Sequence, residues 1–230
     1  MPGRKIDDTL SRSPALPAVS LTQEASLSQC GAFYTGGQQG QAWVNRGNKL
    51  RSTTFRNIGI TSLDTPYRWA PWWPTGQIGA YFDDQISGWE VSDCEFHGAK
   101  TGIAFAGGRH NVALRNRFYD CATMAHEGTP QQCCGACVVL DNRGMNWEHT
   151  DCNTTLPIRV KELLYPGSPW AARYPELANI TTDRECKPAY CRVEDNTYSG
   201  GSFLRGMVMG QFPPDWEAEW RDVVKNNTAV

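Results

Sequence analysis

Residues 79–121, "GAYFDDQISGWEVSDCEFHGAKTGIAFAGGRHNVALRNRFYDC", hold two similar phrases in succession, "GWEVSDCEFHGA" and "HNVALRNRFYDC". In each, an apolar residue (Val91 or Ala113) precedes an aromatic (Phe96 or Phe118) by five positions. The spacing recurs in "NKLRSTTFRNI" and "YCRVEDNTYSG", as Leu50 before Phe55 and Val193 before Tyr198. Asn116 and Asn196 share one slot, two before the aromatic. The aromatics at 55, 96, 118 and 198 are separated by 41, 22 and 80 residues, close to multiples of about 20–22.

A second series interleaves with the first: "GAFYTGG" (31–37), "IGAYFDD" (78–84), "GIAFAGGR" (102–109) and "ACVVLDNRG" (136–144). Each is a short run of β-branched, aromatic or small residues ending in Gly, Asp or Asn, which reads as a strand closed by a turn. None has the helical patterning of ten or more residues that a βαβ crossover requires. A unit of about 20 residues cannot bury its own apolar face, so successive units must stack and share a core. The fold predicted is all-β, a parallel β-helix with Phe55, Phe96, Phe118 and Tyr198 above one another inside it. Asn116 and Asn196 would stack at a bend. A β-sandwich also carries strands every 8–12 residues, but it would not repeat matching sequence at a fixed spacing.

The pattern breaks at both ends and once inside. Residues 1–29 show no period and are expected to be poorly ordered, leaving 30–230 as one β-helix domain. Between about 146 and 187, Val160, Leu163 and Leu164 have helical spacing and Pro166 would stop that helix. A second short helix fits "PWAARYPEL". This stretch is predicted to be an insertion packed on the side of the stack, forming one wall of a groove. At about 213–226, Trp216, Trp220 and Val223 suggest a C-terminal helix capping the open end.

Composition bounds the partners. A formal net charge of −2 offers no footprint for nucleic acid, and no apolar run reaches the roughly 18 residues of a membrane span. Nine cysteines and N-x-S/T sequons at Asn153, Asn179 and Asn226 suggest a secreted or lumenal glycoprotein, expected to be a monomer, although the N-terminus lacks an apolar stretch of signal-peptide type. Six cysteines (Cys133, Cys134, Cys137, Cys152, Cys186 and Cys191) fall in one region, where disulfides bracing the insertion are favoured over a zinc site at Cys134-x-x-Cys137 with His149. Cys30, Cys94 and Cys121 read as small buried residues.

If the second series stacks, its polar ends (Tyr34–Thr35, Asp83–Asp84, Arg109–His110 and Asp141–Asn142–Arg143) form a ladder on one face, about 4.8 Å between units. Acids and guanidiniums so spaced either neutralise one another or grip sugar hydroxyls and uronate carboxylates. The "YRWAPWWP" loop before Asp83 supplies Trp69, Trp72 and Trp73 as platforms for sugar rings.

"IGAYFDDQISGWEVSDCEF", "AFAGGRHNVALRNRFYDC", "LDNRGMNW" and "SPWAARYPELANI" together resemble the right-handed parallel β-helix proteins of the pectin-lyase-like superfamily, within a group whose strands end in D-D-x-x-S-G, G-G-R-x-N and D-x-R-G. The resemblance covers about residues 31–205 and implies a right-handed solenoid. It also implies a carbohydrate-active protein, although this superfamily spans lyases, hydrolases, epimerases and adhesins. A lyase acting on an acidic polysaccharide by β-elimination needs a group that neutralises the uronate carboxylate and a base for the adjacent proton. Arg109 and Arg143 suit the first role, and His110, Tyr34 or an arginine the second. Asp83, Asp84, Trp72 and Trp73 would bind substrate, and Asp83, Asp84 and Asp141 could gather a calcium ion. A glycoside hydrolase would instead need two carboxyl groups, best supplied by Asp141 with Asp83 or Asp84. A glycan-binding adhesin would use the same ladder without cleavage.

Overall fold

The computed structural model describes residues 19–22, 31–36, 41–56, 58, 78–121, 136–141, 156–164, 166–183, 188–207 and 224–230. Their strands form three parallel sheets. Sheet I contains β2 (Phe33–Gly36), β5 (Ile78–Asp83), β8 (Thr101–Ala106), β11 (Val138–Asp141) and β14 (Leu204–Met207). Sheet II contains β3 (Asn48–Arg51), β6 (Trp89–Ser92), β9 (Val112–Leu114), β12 (Arg192–Glu194) and β15 (Val224–Lys225). Sheet III contains β1 (Val19–Thr22), β4 (Thr53–Arg56), β7 (Glu95–His97), β10 (Arg117–Tyr119), β13 (Thr197–Ser199) and β16 (Thr228–Ala229). From β2 onward the chain visits sheets I, II and III in that order, again and again, and each strand pairs with its counterpart from the previous circuit.

The register follows the repeat. In sheet III, Phe55 pairs with Phe96, Phe96 with Phe118 and Phe118 with Tyr198. In sheet II, Leu50, Val91, Ala113 and Val193 form one row that ends at Val224. The Phe55 and Phe96 rings stack at 4.6 Å and 3°, and Phe96 and Phe118 at 5.1 Å and 12°. Glycines in sheet I make room for them. A Cβ on Gly79 would lie 2.6 Å from the Phe96 ring, and one on Gly102 would lie 2.5 Å from the Phe118 ring. The inner core therefore rests on a match between aromatic and side-chain-free positions.

In the middle strands of sheet I (β5, β8 and β11) both faces are buried. Phe82, Phe105 and Leu140 join the inner core, while Tyr81, Ala104, Ala106 and Val139 form a second buried cluster. Burial on two faces explains why these strands read as unbroken apolar runs rather than alternating ones.

The corner between sheets II and III is built by an asparagine ladder. Ser52, Asp93, Arg115, Asp195 and Asn226 take positive φ there, between 50° and 56°, a conformation to which Asn and Asp are best suited. Asn116, Asn196 and Asn227 each follow one of these residues. Asn116 Oδ1 accepts the Cys94 N–H (3.0 Å), and Asn116 Nδ2 donates to the Val91 carbonyl (2.9 Å). Asn196 Oδ1 accepts the Asn116 N–H (2.8 Å), and its Nδ2 donates to the Ala113 carbonyl (3.0 Å). Asn227 repeats both contacts one circuit on, with the Asn196 N–H (3.0 Å) and the Val193 carbonyl (2.9 Å). Each amide thus satisfies backbone groups that the bend removes from the sheets.

Three segments differ from the sequence expectation. Val19–Thr22 lies within the stretch expected to be poorly ordered, yet it pairs with Thr53–Arg56. The capping helix expected over about 213–226 cannot extend to its last residues, because Val224–Lys225 and Thr228–Ala229 are strands. The reason lies in the text, since "VKNNTA" (224–229) repeats "VEDNTY" (193–198) and continues the asparagine ladder. Residues 208–223 lie outside the described residues. The third difference concerns cysteine. Cys94 and Cys121 are buried thiols as expected, but Cys137 and Cys191 are also free thiols within the sheet core rather than in the insertion. Cys30, Cys133, Cys134, Cys152 and Cys186 lie outside the described residues.

Within the stretch expected to be an insertion, the described residues form short helices. Short helix α1 (Gln41–Val44) contacts α2 (Leu156–Leu163), which is followed by α3 (Pro169–Arg173) and a 3₁₀ turn at Pro175–Asn179. Ser168 Oγ accepts the Ala171 N–H at 2.9 Å and caps α3. The helix stops at Tyr174 because a residue before proline is disfavoured in helical conformation. Val160, Leu163 and Leu164 pack on Trp43, Val44, Leu156, Leu177 and Ile180 in a separate apolar cluster. Among the described residues no helix is long and apolar enough to cross a membrane.

Candidate functional site

The motif residues act first as builders of the corner between sheets I and II. Gly107 and Gly108 have φ of 81° and 80°, turning the chain out of β8. A Cβ on Gly108 would sit 2.3 Å from the Ile86 carbonyl oxygen, so only glycine allows the close pass. Ser87 Oγ accepts the Arg109 N–H (2.9 Å), Asn111 Oδ1 accepts the Trp89 N–H (3.0 Å), and Asn111 Nδ2 donates to the Ile86 carbonyl (2.8 Å). The S-G and G-G-R-x-N segments thereby lock together across two circuits.

This corner lifts Arg109 and His110 out of sheet I and turns them towards the insertion. A cavity of about 260 Å³ opens there, lined by Arg109, His110 and Tyr190 from the corner and by Glu176, Asn179, Ile180 and Asp183 from the insertion. The groove wall expected of the insertion is therefore present. Arg109 is only 2% exposed. Its Nη2 donates to the Asp183 carbonyl (2.7 Å), and its guanidinium lies 5.6 Å from the Trp43 ring centre. Arg46 is likewise buried and donates from Nε to Glu176 Oε1 at 3.0 Å.

His110 stacks on Tyr190 with ring centres 5.1 Å apart, and Tyr190 Oη donates to Asp183 Oδ2 at 2.6 Å. Burial pushes the imidazole pKa down from 6.5 to about 4, helped by the charges of Arg46 and Arg109 against the opposing pull of Glu176 and Asp183. His110 is thus neutral at pH 7, with a lone pair able to accept a proton.

The other half of the predicted ladder lies elsewhere. Gly36 pairs with Asp83, and Asp141 pairs with Ala106 in sheet I. Phe82 pairs with Phe105, so the next step along those strands sets Asp83, Ala106 and Asp141 in one row. Their backbones are then two strand spacings apart, about 9.6 Å. The Asp83 carboxylate accepts from Tyr34 Oη (3.1 Å), Tyr81 Oη (2.6 Å) and the Asp84 N–H (2.9 Å). Asp84 has φ of 44° and begins the turn away from the sheet. The single ladder expected from sequence is therefore two sites: Tyr34, Asp83 and the Asp141 position on sheet I, and Arg109 with His110 at the corner. Only Gly107 and Gly108 separate Arg109 from the end of β8, and these two glycines cause the parting.

No group of three His, Cys, Asp or Glu side chains that could hold a metal occurs among the described residues. Asp141's side chain, Arg143, Trp69, Trp72 and Trp73 lie outside what is described. His97 stacks on Tyr119 at 4.5 Å beside Glu95.

Known protein families, curated proteins and solved structures give no match to this chain. The site must be read from its own chemistry.

Sequence reasoning did not single out Arg46, Glu176, Asn179, Asp183 or Tyr190 as site residues. One of them carried a signal. Ala113 and Val193 align in the repeat, so three residues earlier His110 aligns with Tyr190, and the bridge between Arg109 and Ala189 realises that alignment.

Proposed function

We propose that the three sheets are the faces of a right-handed parallel β-helix, and that the protein is a carbohydrate-active member of that architecture, acting on an acidic polysaccharide by β-elimination at the Arg109–His110 cavity. The hand is the one that parallel crossover connections take almost without exception. One observation carries the catalytic reading: Arg109 and His110 line one cavity, and the imidazole there is neutral at pH 7.

In this reading a uronate unit enters over the Tyr190 ring with its carboxylate towards the buried guanidinium of Arg109. His110 takes the proton next to that carboxylate as the electron pair moves to form a carbon–carbon double bond and expel the glycosidic oxygen. A bound carboxylate raises the imidazole pKa from its depressed value, so the base becomes stronger when substrate arrives.

A second reading, glycan binding without cleavage, is favoured by the charge balance of the walls. Arg46 already faces Glu176, and Arg109 lies near Asp183, so little positive charge is left over for an anion. Incubation with polyuronates separates the readings. Elimination gives a rise in ultraviolet absorbance from unsaturated uronate that His110→Gln abolishes without unfolding the protein. Binding with neither absorbance nor new reducing ends supports the second reading. New reducing ends without absorbance would point to hydrolysis, with the Asp83–Asp141 row as the place to look.

A further inference from the structure

The Arg109–His110 cavity has two unlike walls. On the corner side, Arg109 and Ala189 bridge in parallel, so the next residues, His110 and Tyr190, stand side by side with ring centres 5.1 Å apart. On the insertion side, Asn179 and Ile180 do not titrate, and both carboxylates are already engaged. Glu176 Oε1 accepts from Arg46 Nε at 3.0 Å, and Asp183 Oδ2 accepts from Tyr190 Oη at 2.6 Å. That second bond also commits the phenolic proton. Arg109 keeps its charge at any working pH. Among the described lining residues, His110 is left as the group able both to take a proton and to give it back.

We propose that His110 serves as base and acid in turn, so that the elimination is syn and the substrate is a 1,4-linked uronate chain whose C4 oxygen is equatorial. The inference rests on the elimination reading above and adds to it the configuration of the sugar.

One imidazole nitrogen takes the proton from C5. The C–H electron pair forms the C4–C5 double bond, and the C4–O bond breaks. The same nitrogen then hands its proton to the departing oxygen, which leaves as the hydroxyl of the cleaved chain. His110 ends neutral, and no other reactant is consumed. Both transfers reach the sugar from one face, so the C5 hydrogen and the C4 oxygen must lie on the same side of the ring. Gluco- and manno-configured uronates, with an equatorial C4 oxygen, meet that condition. In a galacto-configured unit the C4 oxygen is axial and opposite to the C5 hydrogen. Its expulsion would need an acid on the other face, where the engaged carboxylates of the insertion stand.

The test compares the wild-type protein on polyglucuronate, polymannuronate and polygalacturonate, all 1,4-linked and unesterified, by the ultraviolet absorbance of the unsaturated product. The kcat/KM on one of the first two should exceed that on polygalacturonate by roughly a hundredfold, the least that a placed proton donor contributes. On the better substrate, kcat/KM should rise through one ionisation and stay level to about pH 9, because a single group does both jobs. The groups facing that imidazole are Arg46, Arg109, Glu176, Asp183 and Tyr190. An equal or faster rate on polygalacturonate, or a second ionisation below about pH 9, would overturn the syn assignment and leave elimination standing. No absorbance from any of the three would overturn the elimination reading and this inference with it. Every arm uses the wild-type chain, so none depends on a variant folding.

Discussion

Replacing Asn116 by alanine removes the middle of the corner ladder, and the structure sets the size of the effect. The Cys94 N–H loses Asn116 Oδ1, and the Val91 carbonyl loses Asn116 Nδ2, at a position with 0% exposure. The Asn116 N–H keeps its bond to Asn196 Oδ1, since that donor is backbone. Two buried groups are left short of a partner, each costing about 1–3 kcal/mol. Water reaching one of them would place the net loss near 3 kcal/mol. For a chain of this length that corresponds to a fall in Tm of about 6–12 °C. Urea unfolding followed by circular dichroism measures it, with Arg115→Ala as the control. Arg115 is the adjacent residue, but its pair with Asp93 is half exposed, so its loss should cost about 1 kcal/mol or less. An Asn116→Ala variant within about 0.5 kcal/mol of wild type would refute the ladder as the support of this corner.

Other outcomes follow from the same geometry. Gly102→Ala puts a methyl 2.5 Å from the Phe118 ring and 2.6 Å from the Cys137 carbonyl oxygen, and should cost about 1–3 kcal/mol in the same unfolding assay. His110 is neutral in the fold and titrates near 6.5 when unfolded, so its contribution is fully present above about pH 6.5 and is lost as pH falls towards 4. The full shift would be worth about 3 kcal/mol, and partial exposure of the ring reduces this to about 2. The groups around that ring are Arg46, Arg109, Glu176, Asp183 and Tyr190, so His110→Gln should flatten the wild-type curve between pH 4 and 6.5. Parallel curves for the two proteins would contradict the buried neutral imidazole.

The sequence made the rows legible because each row is a position in a repeat. Phe55, Phe96 and Phe118 recur at a period, and the register stacks what recurs. Asn227 was open to the same logic but sat beside text rich in helix formers, and the apolar face of Trp216 and Trp220 drew the end of the chain into an expected helix. The site was less legible, for two physical reasons. Gly107 and Gly108 move Arg109 and His110 off the strand's register, and nothing in strand periodicity marks where a glycine pair will turn the chain. Glu176 and Asp183 come from an insertion with no repeat of its own, and they reach the cavity through the packing of Leu177 and Ile180 on Trp43. Periodicity can place residues that repeat. Residues that arrive by tertiary contact leave no such trace.

A crystal of the protein soaked with a short oligo-uronate bears most directly on the proposed chemistry. The prediction is a sugar ring in the corner cavity, lying against Tyr190, with its carboxylate towards Arg109 and the adjacent carbon facing a nitrogen of His110. A cavity left empty at saturating ligand, or a sugar bound instead along the Asp83 row of sheet I, would contradict it.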